Sequence, residues 1–262
     1  MTPSIKVEQA PSVQYLLRLA DTALILGQRL GEWCGHAPVL EEDIALSNIA
    51  LDLIGQSRAP LTRAGQLEGL GHHEDQLAFL REERDYRNAT IVELPNGPGR
   101  PGDFAFTVLR NAMMATWFRL MWERLRESSD SELAAIAGKA VKEARYHQQH
   151  SCDWVVRLGD GSDESARRMR AALDTLWRYS AELFESDEVD AAAAANGLGP
   201  RWDALREPWL AEMQALFAEA KLQMPAGTAF RSTGKRGVHS EHMGYILSDM
   251  QYLQRAYPGG AW

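Results

Sequence analysis

Apolar residues recur at three- and four-residue intervals through long segments that contain little Gly or Pro. That is the period of a helix and not the alternation of a strand, so the chain is expected to be all-α. The spacing predicts helices over 12–34, 41–67, 75–84, 103–128, 131–158, 163–184, 208–222 and 238–256. Asp103, Asp130 and Ser162 stand where free N–H groups need capping, Asp163 and Glu164 suit the positive end of a helix dipole, and Pro208 suits a first turn. Breaks fall at residues 35–38, 96–102, 159–161 and 197–200, none long enough to read as an interdomain linker. The alanine run 191–195 reads as a helix end or connector, and no repeat of fixed period is present. Four of the segments run to about 22–28 residues, enough to cross a bundle of roughly 35 Å at ~1.5 Å per residue. The expected architecture is therefore one domain over 1–262, a long-helix bundle with smaller peripheral helices.

Charge and cysteine content narrow the function classes. A formal net charge of -8 disfavours binding to polyanions, which rests on Lys and Arg contacts to phosphate. Cys34 and Cys152 form no Cys-x-x-Cys pair and are too few for a disulfide framework or thiolate cage, which fits a reducing cytoplasm. No basic stretch followed by an apolar run opens the sequence, and no run of about 18 apolar residues occurs, so neither secretion nor membrane spanning is expected. Gly-x-Ser-x-Gly, Walker, dinucleotide-turn and His-Glu-x-x-His patterns are all missing, so electrons for any redox role must come from another subunit.

Polar residues interrupt several apolar stripes. In ferritin-like diiron proteins two helices each give one Glu and two others each give Glu-x-x-His, because residues three apart point the same way. On the first helix Asp21, Gln28 and Glu32 lie within about 20° of one another at ~100° per residue. On the second, Asn48, Asp52, Gln56 and Arg63 share a stripe with Ala45 and Ala59. On the fifth segment Leu133, Ala137, Ala140, Ala144, His147, Ser151, Trp154 and Leu158 trace one stripe. Glu-x-x-His would require a carboxylate at Ala144, whereas Glu143 points about 100° away. Asp52 is likewise followed three residues later by Gly55, so the metal set is incomplete. His147 then reads either as a hydrogen-bonded core residue or as the remnant of a site, with the acids held by Arg29, Arg63, Arg119 or Lys142.

Two glycines flank a basic pair in residues 234–242, just before the last helix. Lys235, Arg236 and His239 can meet an anion such as a coenzyme A phosphate at a helix N-terminus, or form a tight turn that docks on a partner chain. Trp262 is a candidate interface residue because a large apolar side chain at a chain end calls for a pocket.

Residues 19–61, 78–88, 135–162 and 234–262 (LADTALILGQRLGEWCGHAPVLEEDIALSNIALDLIGQSRAPL, AFLREERDYRN, AIAGKAVKEARYHQQHSCDWVVRLGDGS and GKRGVHSEHMGYILSDMQYLQRAYPGGAW) resemble the C-subunit family of bacterial phenylacetyl-CoA epoxidases. This family is also called ring 1,2-phenylacetyl-CoA monooxygenase or phenylacetate degradation protein C. The resemblance implies a ferritin-like structural subunit without its own metal. Its partners would be a catalytic ferritin-like diiron subunit, a small linking subunit and a reductase subunit fed by NADPH. It also implies that Asp21, Glu32, Asp52, Glu143 and His147 form a vestigial metal-site cluster. Two rival readings remain: an atypical metal oxygenase using Asp52 and His147, and a free-standing helical adaptor.

Overall fold

The computed structural model describes residues 3–227 and 229–260. Four long helices form the frame: α1 (Pro11–Glu32), α2 (Leu40–Glu68), α4 (Phe104–Leu125) and α5 (Ser131–Gly159). Around them lie α3 (Glu74–Phe79), α6 (Asp163–Leu176), α7 (Glu188–Ala195), α8 (Arg206–Glu219) and α9 (Glu241–Ala256). No strand occurs among the described residues; one isolated bridge joins Thr233 to Val238. None of the described helices is long and apolar enough to cross a membrane.

Local chemistry sets the helix ends. Asp103 accepts from the N–H groups of Ala105 (2.8 Å) and Phe106 (3.2 Å), and Asp130 from those of Glu132 (3.0 Å) and Leu133 (3.1 Å). Ser162 caps α6 through the Ser165 N–H at 3.2 Å. Pro11 occupies the first turn of α1, where a missing N–H costs nothing. Gly69 adopts φ 69°, a left-handed conformation that closes α2 and that a side chain would resist.

Three elements depart from the expected spans. The helix over 75–84 stops at Phe79, because Arg81 turns its guanidinium into the core and cannot stay on an exposed helical face. The helix over 163–184 tightens after Leu176 into a 3-10 segment, Trp177–Phe184. Its shorter period aligns Trp177, Ser180 and Leu183, three apart, on one buried side. The last helix begins at Glu241, since Ser240 caps it with an acceptor for the His242 N–H at 3.3 Å. The alanine run lies in a separate helix, α7, capped by Asp187.

α1 is buried almost throughout from Val13 to Leu30. It packs on α2 and α7, and the irregular segment 86–96 covers its remaining side. An irregular buried backbone leaves N–H and C=O groups that only side chains can satisfy. Accordingly Asp21 accepts from the Arg87 N–H (2.8 Å), Thr22 from Ala89 (3.2 Å) and Glu182 from Thr90 (2.9 Å). In the other direction, Arg29 donates to the Glu93 carbonyl at 2.9 Å and Arg110 to the Leu94 carbonyl at 2.5 Å.

Candidate functional site

At the centre of the bundle, side chains of all four long helices meet around a void of about 10 Å³. Leu26 comes from α1, Ile49 and Leu53 from α2, Asn111, Ala115 and Phe118 from α4, and His147 from α5. Such a volume is at the lower limit for one water molecule. Asn111 has both side-chain amide atoms buried with no hydrogen-bond partner among the described residues. The wall is otherwise aliphatic or aromatic apart from the His147 imidazole.

From that wall the His147 imidazole reaches across to α2. Its Nε2 lies 3.0 Å from Asp52 Oδ2, and the histidine is buried while Asp52 is half-exposed. Burial pushes the imidazole below its ordinary value, and the Asp52 carboxylate only partly offsets this. This contact is one rung of a polar seam between the antiparallel helices α2 and α5. Gln56 donates to Glu143 at 3.1 Å and accepts from the Trp122 indole at 3.1 Å. Glu42 accepts from Trp154 at 2.7 Å and lies 2.8 Å from His150 Nε2. Arg63 binds Asp130 at 2.8 Å. Chemically the seam consists of closed donor–acceptor pairs, which set the register of two helices, and not of carboxylates converging on a point.

Of the five residues expected to cluster, the structure brings together Asp52, Glu143 and His147 along this seam, and it separates the other two. Asp21 is fully buried against Arg81, whose Nη1 donates to Oδ2 at 2.9 Å. Glu32 is mostly exposed and binds Arg29 at 2.7 Å. A shared stripe reports angle and not height: Asp21 and Glu32 are eleven residues apart, about 16 Å along the helix. Among the acid partners expected, Arg29 holds Glu32, Arg63 holds Asp130 and Arg119 holds Glu123 at 2.8 Å, but Asp21 takes Arg81.

The basic loop forms a tight turn at Gly234–Arg236, in line with one of its two expected readings, and departs from the anion-binding one. Lys235 is buried: its ammonium donates to the Glu185 carbonyl and sits 4.3 Å from the centroid of Trp202. Burial pushes this amine down to about 8, against the pull of Asp190 and Glu182. His239 has Nδ1 2.7 Å from Glu93 Oε1 and Nε2 3.2 Å from the Tyr86 carbonyl. The anion at the N-terminus of α9 is the chain's own Glu93, which accepts from the Ser240 N–H and hydroxyl, each at 2.7 Å. Glu182 likewise accepts from the Lys235 N–H at 2.9 Å and the Ser232 hydroxyl at 2.6 Å. Two buried carboxylates thus fold the loop inward, and neither Lys235 nor His239 is open to a coenzyme A phosphate. Gly234 makes this possible: a Cβ there would lie 2.5 Å from the Asn88 carbonyl. Arg236 stays half-exposed, 3.6 Å from Asp187, while Trp262 lies outside the described residues. Glu93, Glu182 and Arg81 were not legible as site residues in the sequence, because nothing local distinguishes a buried acid or base from a solvated one.

The chain matches the family described as phenylacetic acid catabolic protein over residues 2–262. It is 50% identical over 248 residues to the Escherichia coli (strain K12) protein named as the C subunit of 1,2-phenylacetyl-CoA epoxidase, covering 95% of this chain and 98% of that protein. The chain belongs to the phenylacetic acid catabolic protein family.

In this family member the ferritin-like fold raises the question of a diiron centre, and the residues at the bundle centre do not fit one. Two iron ions require several carboxylates and imidazoles converging on them. Here Leu26, Leu53, Ala115 and Phe118 occupy the centre, Ala144 is fully buried three residues before His147, and His147 is bound to Asp52. Among the described residues no group of three or more His, Cys, Asp or Glu side chains is placed to hold a metal ion.

Proposed function

We propose that this chain is a non-catalytic structural subunit of a multicomponent epoxidase acting on phenylacetyl-CoA in aerobic phenylacetate catabolism. The observation that carries this reading is the 50% identity, across nearly the whole of both chains, to a protein named as the C subunit of such an enzyme. The apolar bundle centre supports the non-catalytic part, because Leu26, Leu53, Ala115 and Phe118 line it, whereas ferritin-like diiron centres are built from inward-pointing carboxylates and imidazoles. On this reading one ferritin-like domain spans residues 1–262 and supports a catalytic diiron homologue in the cytoplasm, with a small linking subunit and an NADPH-fed reductase completing the complex. The α2–α5 seam through Asp52, Glu143 and His147 is what remains of an ancestral metal face, converted to structural pairing.

The test is elemental analysis of the purified chain alone and after co-purification with the diiron homologue. Iron only in the complex, at one diiron site per pair, is the expected result. Two irons per isolated chain, retained through chelation, overturns it. Loss of growth on phenylacetate in a strain lacking this chain, restored by His147→Ala as well as by the unaltered gene, separates a scaffold from an oxygenase.

A further inference from the structure

α9 is amphipathic in an unusual sense: its inner face is tied down in detail, and its outer face is aromatic and acidic. Met243, Ile246 and Leu247 are buried, and the Gln251 amide donates to the Arg81 carbonyl at 3.0 Å and to the Tyr86 hydroxyl at 2.8 Å. Arg255 secures the far end by donating to Gln251 Oε1 (2.8 Å), the Arg81 carbonyl (3.0 Å) and the Ser4 hydroxyl (3.2 Å). The opposite side carries Glu241, Tyr245, Asp249, Tyr252 and Ala256, which recur at three- and four-residue spacing and so form one ridge. Tyr245 is 74% and Tyr252 60% exposed, values that leave most of each ring in water.

Beside the ridge runs a groove of about 430 Å³, with Gly244, Ser248 and Tyr252 on one wall and Glu82 and Glu83 on the other. Of the cations that line it, Arg81 is neutralised by Asp21, whereas Arg255 is held by neutral acceptors only and leaves one positive charge against Glu82 and Glu83. Glu82 accepts from the Ser4 hydroxyl. Among the described residues no cation pairs with Glu82, Glu83 or Asp249, and Glu241 meets only its neighbour His242 at 4.0 Å. Tyrosine rings next to unpaired carboxylates suit arginine, whose guanidinium stacks on a ring while it forks onto a carboxylate.

We propose that this ridge and groove dock a basic helical face of the catalytic homologue, an inference that rests on the function proposed above. The charge on the surface selects a partner presenting Arg or Lys. The shape selects a helix: the ridge extends over a 16-residue element, about 24 Å, and the small Ser248 leaves a gap between Tyr245 and Tyr252 for a partner's ridge. The burial of two such tyrosines at the centre of a contact would dominate its affinity, and the acids would set orientation and association rate.

Binding of the purified chain to the purified diiron homologue, followed by calorimetry at two salt concentrations, tests this. Glu83→Lys and the double variant Tyr245→Ala, Tyr252→Ala are each expected to weaken binding by at least about tenfold. The double variant Tyr245→Phe, Tyr252→Phe keeps the rings and is expected to stay within about twofold. All these positions are exposed, so unchanged circular dichroism confirms that folding is intact. If the unaltered chain binds and the charge and alanine variants bind equally well, the docking face is elsewhere and the function proposed above stands. If the variants instead lose only the linking subunit or the reductase, the occupant is wrong. If the unaltered chain binds no homologue, both readings fall.

Discussion

His239 Nδ1 lies 2.7 Å from Glu93 Oε1, with neither side chain reaching solvent. Burial alone would lower the imidazole, but the hydrogen bond and charge of Glu93, helped by the Tyr86 carbonyl, raise it above its ordinary value. A histidine raised in the folded state holds its proton more tightly there than when unfolded. Its contribution is therefore complete below the ordinary value of about 6.5 and disappears as pH rises through the folded one. Melting temperatures measured across this range should fall more steeply for the unaltered chain than for His239→Gln. His239→Ala, which leaves Glu93 without its buried cation, should cost about 3–5 kcal/mol in denaturant titrations near pH 6.

Asp21 and Arg81 form a second buried pair, and here removal of one partner exposes the asymmetry of such bonds. Asp21→Ala is expected to lose about 3–5 kcal/mol, because Arg81 then remains charged in the core. It also removes the acceptor for the Arg87 N–H. The double variant Asp21→Leu, Arg81→Met should be more stable than Asp21→Ala alone. Urea midpoints of the three proteins decide the matter, and a double variant less stable than the single one would mean that Arg81 matters chiefly to the backbone it binds.

Two glycines on α5 should respond in opposite directions to the same change. A Cβ at Gly159 would lie 2.3 Å from the Ala220 carbonyl, whereas one at Gly138 would meet no atom within 4 Å. Gly159→Ala is expected to destabilise by about 1–3 kcal/mol, since backbone must move to admit it. Gly138→Ala is expected to stabilise by about 0.5–1 kcal/mol, through helix propensity and a less flexible unfolded chain. Thermal melts of the two variants give the comparison directly.

Ala144→Glu writes a Glu-x-x-His pattern into α5 without creating a metal site. Ala144 is fully buried and His147 is already bound to Asp52, so the new carboxylate would be a buried charge facing an imidazole that is committed elsewhere. Marked loss of stability without iron uptake is expected. A folded variant that binds iron stoichiometrically would show that the bundle centre can still open to two ions.

The helical class, the four long helices and the caps at Asp103, Asp130 and Ser162 were readable in the sequence because periodicity and capping act over a few residues. The gaps at Ala144 and Gly55 were readable for the same reason, since a ligand pair three residues apart is a local pattern. Which charges meet was not. Asp21 and Glu32 share a helical stripe yet end in different surroundings, one fully buried against Arg81 and the other in water beside Arg29. Glu93 lies 146 residues from His239, and Glu182 53 residues from Lys235. Only chain folding decides such pairs, because the free energy of burying a charge depends on partners that no local window contains. Local spacing along the chain sufficed for the helices and for the incomplete ligand pattern. The tertiary structure decided that the basic loop turns inward on two buried acids, leaving the aromatic and acidic side of α9 to face outward.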